Sequence, residues 1–116
     1  MKRTILHITT AQAWQQAQAI GEYRAESLDA EGFIHCSTPA QVCEVGYRYY
    51  RGQRGLILLA INPEHLRAPL MYEGPQDLSY GYYPHIYGAI NLDAVVGVLP
   101  FEPDGSGHFA LPDQIP

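Results

Sequence analysis

The chain has 116 residues, 47% hydrophobic and 16% charged, with a net charge of −5 and two cysteines. That length encloses one core without disulfides or metal, the composition is not that of a disordered chain, and the acidic balance argues against a nucleic-acid groove. Two cysteines make no disulfide framework, no apolar run approaches a membrane span, and "MKRTILHITT" turns polar too soon for a signal peptide. The expected setting is therefore cytoplasmic, with reduced thiols, no membrane and no nucleic acid.

Residues 3–9, "RTILHIT", alternate, with Ile5, His7 and Thr9 on one face and Leu6 and Ile8 on the other, which predicts a strand. A helix follows: Thr9 and Gln12 have capping-box spacing, Trp14, Ala17 and Ile20 form an apolar stripe, and Gly21 is a stop. The polar stretch "EYRAESLDAE" reads as a loop. It leads to a second strand, "GFIHCS" (32–37), with Phe33, His35 and Ser37 on one face.

Thr38, Pro39 and Gln41 mark the start of a second helix, whose buried stripe is Val42, Val45 and Tyr49 and whose end is Gly52. "GLILLAI" (55–61) is a nearly continuous apolar run, as in a central strand covered on both faces, and Asn62-Pro63 breaks it. "PLMYE" (69–73) is a short strand, "GPQDLSYGYYP" an irregular loop, and "HIYGAI" and "AVVGVLPF" two further strands joined through "NLD". Residues 101–116 read as a surface tail with one short strand at most. Two early helices and at least five dispersed strands make a single α+β domain with a split, curved, mostly antiparallel sheet.

His7, His35 and His85 each lie within or at the start of a predicted strand among apolar neighbours. One such histidine is ordinarily a half-buried residue satisfied locally; three in so short a chain point to a shared cleft. His65 and His108 lie in loops and carry no functional weight. No metal is expected, because no pair has the spacing of His-x-His or His-Glu-x-x-His. Cys36 faces the core, and Ser37 stands about 7 Å along the strand from His35, too far for a hydroxyl–imidazole pair. Tyr80, Tyr82, Tyr83 and Tyr87 crowd the His85 segment, and aromatic rings with polar tips suit a half-wet cleft that stacks on a flat ligand. Arg48, Arg51 and Arg54 make the one basic cluster and read as a solvated helix face.

The ordered set "ILHITT", "GFIHCST", "YEG" and "YPHIYGAI" resembles the bacterial proteins of the domain of unknown function 952 family, over nearly the whole chain. More distantly, the order is similar to the ADP-ribosyltransferase superfamily, whose NAD cleft is formed by a split sheet. "LHITT" is similar to the His-Gly-Thr strand of the poly(ADP-ribose) polymerase branch, and "EGFIHCS" to its Gly-Ile-Tyr-Phe strand. A histidine in the second motif is also similar to the tRNA 2′-phosphotransferases.

This resemblance implies a nucleotide ligand, with NAD as substrate and no tightly bound cofactor. It implies that His7 and Thr9 hold the nicotinamide ribose and that Ser37, Tyr47 and Tyr87 line the site. His35, His85 and Glu73 are the implied catalytic set. One position departs from the superfamily: His85 stands where the catalytic Glu is expected, and Glu73 is the nearby acid. Two other readings stay open, a nucleotide-binding module without turnover and, third, a zinc hydrolase. Oligomeric state is left open.

Overall fold

The computed structural model describes residues 3–74 and 81–116; Tyr80 and most of the expected irregular loop lie outside the described residues. The elements are β1 (Ile5–Thr10), α1 (Ala11–Ile20), β2 (Glu22–Tyr23), α2 (Glu26–Glu31), β3 (Ile34–His35), α3 (Val42–Tyr49), β4 (Leu56–Ile61), β5 (Leu70–Glu73), β6 (Tyr83–Ile86), β7 (Ile90–Asn91) and β8 (Val95–Pro100). They form a small α+β domain with three antiparallel sheets, ordered β1-β4-β8, β2-β7 and β3-β6-β5. A bridge from Leu6 to Ser37, with both backbone bonds at 2.8 Å, ties the first sheet to the third.

Strands β1 and β4 are buried on both faces, as the apolar run of β4 predicts, whereas Val96 and Val98 of the edge strand β8 are exposed. Ile5, Leu59 and Ile61 join Ile34, Cys36, Ile86 and Ile90 in one core, against Trp14 and Ala17 of α1. Leu6, Ile8, Leu56, Leu58 and Ala60 form a second core on the other face, under α3. Each fully buried leucine or isoleucine contributes roughly 1.5–3 kcal/mol. β4 thus divides two cores by strict alternation.

Five sequence expectations are corrected in detail. A third helix, α2, replaces part of the expected loop; it is six residues long and buries none of them, so it leaves no apolar stripe to read. The cap of α1 is Thr10, whose hydroxyl accepts from Ala13 N, rather than Thr9, and Ile20 is 73% exposed. Helix α3 starts at Val42 rather than near Thr38, yet Gln41 does reach back, its Oε1 accepting from Thr38 N at 3.0 Å. Tyr49 is exposed, and Gly46 takes the inward position because Phe101 and Phe109 stack over it; a Cβ there would lie 2.8 Å from Phe109.

Those two rings also change the reading of residues 101–116. Phe101 and Phe109 are buried in the second core, and Pro103 bridges Phe109, so the segment covers that core instead of trailing from it. Among the described residues no helix is long and apolar enough to cross a membrane.

Candidate functional site

The β3-β6-β5 sheet has an inner face, Ile34, Cys36, Pro84 and Ile86, and an outer face of histidine, aromatic and carboxylate side chains. His35 pairs with His85 and His85 with Met71 across the ladders, so these three side chains share the outer face with Phe33, Glu73 and Tyr87. Phe33 stacks on the His85 ring, centroids 4.2 Å apart, and lies 4.8 Å from His35 and 5.3 Å from Tyr87. The two imidazoles stand 5.3 Å apart, edge to face.

Each imidazole is backed by a carboxylate. Glu73 Oε1 accepts from the Tyr87 hydroxyl at 2.6 Å and lies 2.8 Å from His85 Nδ1. A carboxylate only accepts, so Nδ1 carries a proton and Nε2 is the nitrogen left for chemistry. Among the described residues, no hydrogen bond reaches that Nε2. His35 Nε2 sits 3.1 Å from Glu31 Oε2. The Tyr87 hydroxyl, then His85, hold the Glu73 carboxyl below the usual range, and the same bond raises the Tyr87 hydroxyl.

Local sequence explains the assembly. Gly32 closes α2 in the left-handed region (φ 92°), so the chain turns sharply from Glu31 into Phe33 and brings Glu31 beside His35. The ladder between β5 and β6 sets Glu73 opposite Tyr83, next to His85 on the same face. Pro84 removes one donor from β6, which is why a strand beginning at His85 is the natural reading. Its carbonyl still accepts from Cys36 N, and the strand begins at Tyr83.

His7 is placed differently. It is 7% exposed in the core beneath β3, with Nδ1 2.7 Å from the His35 carbonyl and Nε2 2.8 Å from the Tyr23 hydroxyl. The carbonyl only accepts, so Nδ1–H donates to it and Nε2 of the neutral ring accepts from Tyr23. Burial pushes the His7 imidazole down to about 4, and burial likewise raises the Tyr23 hydroxyl, 2.9 Å from Thr9 Oγ1. The three histidines therefore do not line one cavity: His7 supports the backbone from below, and His35 and His85 face outward.

The remaining sequence candidates scatter. Thr9 is buried in the His7 network, and Ser37 is buried where its backbone joins β1. The Tyr47 ring lies against His108 and Arg51, not against the histidine pair. Cys36 is buried, its thiol pushed far up by desolvation. Among the described residues no cluster of three or more His, Cys, Asp and Glu is arranged to hold a metal. Sequence reasoning passed over three site residues. Phe33 shares a face with His35 at period two, a signal already in the sequence. Glu31 and Tyr23 lie in the stretch read as a loop, where no periodicity marks them.

The profile of the family described as protein of unknown function (DUF952) matches residues 8–98, the span holding both carboxylate–imidazole pairs. The chain belongs to that family. The crystal structure of protein CC0527 from Caulobacter crescentus is similar, with 29% identity, TM-score 0.85 and 97% of each chain covered. The crystal structure of a double mutant of CC0527 gives 28% identity at the same score and coverage. The solution NMR structure of CC0527 matches with TM-score 0.71, covering 90% of each chain at 29% identity. Curated proteins gave no match. The DUF952 fold is thus seen in a bacterial relative over nearly its full length.

Proposed function

We propose that the outer face of the β3-β6-β5 sheet binds NAD or a related nucleotide and cleaves its glycosidic bond, in an intracellular setting, with the nucleotide as substrate and not as a resident cofactor. The observation that carries this reading is the Glu73–His85 contact. The resemblance to ADP-ribosyltransferases expects a carboxylate at the position of His85, and the neighbouring strand delivers one to within 2.8 Å of that ring. Aromatic rings beside carboxylates also suit a flat, cationic group such as a nicotinamide ring.

In this reading Glu73 stabilises the oxocarbenium-like centre electrostatically, held ready by Tyr87 and His85. His85, through Nε2, and His35 transfer protons to or from the acceptor. Phe33 and Tyr87 contact the ring, and His7 and Thr9 act beneath the site by fixing the His35 backbone. Purified protein incubated with NAD should release nicotinamide, and Glu73→Gln should suppress the release. A protein that binds NAD and releases nothing contradicts the catalytic part of the proposal.

A second reading, a binding module without turnover, is favoured by one feature. The His35 side chain is 53% exposed, so the described part of this face excludes little water. Binding without release would select it.

A further inference from the structure

The basic cluster at the end of α3 is not a uniform solvated face. Arg48 pairs with Glu44 at 3.2 Å. Arg51 and Arg54 instead line a cleft of about 280 Å³, opposite the loop that carries Asp104, Ser106 and Gly107. Among the described residues neither guanidinium forms an ion pair with a carboxylate. The acids of this corner are already engaged. Asp104 Oδ1 accepts from Ser106 N, Ser106 Oγ and His108 N at 2.8–3.0 Å, and Glu102 Oε1 accepts from Gly55 N at 3.1 Å.

Arg51 is also held in place before any ligand arrives. Its guanidinium carbon lies 4.5 Å from the centroid of the Tyr47 ring, which stacks on His108 at 4.2 Å and 12°. Its aliphatic stem crosses Gly107, where a Cβ would lie 2.6 Å from Arg51 Cγ and where φ is +88°. Glycine is required there on both counts. A free surface arginine loses much rotamer freedom on binding, and this one has lost part of it already. The residues lining the cleft include two guanidiniums and one carboxylate, Asp104, and the nearby Glu102 is engaged by the Gly55 amide.

We infer that the cleft between Arg51, Arg54 and the 103–107 loop is a binding site for a small phosphate-type dianion, inorganic phosphate or a phosphate monoester. Guanidinium forks match the oxygens of such a group in charge and geometry. The cleft shares no residue with the Glu73–His85 face, so it stands or falls separately.

The test is a titration with inorganic phosphate at low salt, read from the Arg51 Nε–Hε signal and the Gly105 and Gly107 amides. Sodium chloride at matched ionic strength is the reference. Saturable shifts with phosphate alone are expected. The Arg51→Gln/Arg54→Gln double variant should bind at least about tenfold more weakly, and Arg54→Gln alone should weaken binding with the Tyr47 stack intact. Arg24→Gln, an arginine already paired with Asp29, should change nothing. Absence of saturable shifts up to about 20 mM phosphate overturns the inference. So do equal shifts with chloride, or undiminished binding by the double variant.

Discussion

His7 and His85 sit in similar sequence settings, each in a strand among apolar neighbours, and the fold uses them in opposite ways. His7 is in the core, both ring nitrogens bonded to protein groups and its ring kept neutral by burial. His85 lies on the outer face of its sheet, its side chain 14% exposed beside the stacked Phe33 ring, tied at Nδ1 to Glu73 and with no hydrogen bond at Nε2 among the described residues. The difference arises from what covers each sheet. β1 is packed on both faces, whereas β3, β6 and β5 are packed on one. A strand histidine is structural where both faces are covered and available for chemistry where one is not.

If this division is right, substitutions on the outer face should cost function and those below it should cost stability. The largest effect is expected for Glu73→Gln, which should lower nicotinamide release on the order of a hundredfold or more. Its urea midpoint should move little, because the amide can still bond Tyr87 and His85 and the side chain is 40% exposed. Next, His7→Phe keeps a planar ring but strands the His35 carbonyl and leaves the Tyr23 hydroxyl with Thr9 as its partner. It should destabilise the fold by about 1–3 kcal/mol in urea unfolding, the cost of leaving one buried polar group unpaired.

His7 also sets a pH dependence. Its folded value, about 4, lies below the ordinary 6.5, so the unfolded chain takes up a proton over a range where the folded chain does not. The stability from this group is full above pH 6.5 and is lost as pH falls toward 4, by at most about 1.4 kcal/mol per pH unit. The difference between wild-type and His7→Phe unfolding profiles should shrink across that window. A constant difference would show that His7 is not held neutral. The smallest effect is expected for Glu31→Gln, which breaks an exposed pair and should cost under about 1 kcal/mol.

Much of this was legible in the sequence, for identifiable reasons. Period-two alternation placed Phe33 with His35, and His85 with Tyr87, as the structure has them, but it also put Ser37 with Phe33 and His35, and Ser37 is buried where the chain bridges to β1. The run at 55–61 announced a strand buried on both sides. Alternation could not say which side of its sheet would be covered, so His7 was grouped with the other two histidines. Helix α2 was invisible because it is six residues long and has one apolar anchor, Leu28, which is too little to make a stripe, and with it went Glu31. Phe101 and Phe109 were hidden by a Pro- and Gly-rich context that looks like a tail, although both rings fill the second core. Tyr47 was assigned to a ligand because a helical tyrosine has no signal for its partner; that partner is a stacked His108 from the far end of the chain.

The separation of the two histidine settings is most directly tested by histidine ring NMR during a titration with NAD, referenced to an equal titration with inorganic phosphate. The expected result is that the His35 and His85 ring signals move with NAD beyond their response to phosphate, while His7 and His65 stay in place. Unmoved His35 and His85 signals at millimolar NAD, or shifts confined to His7 or His65, would contradict it.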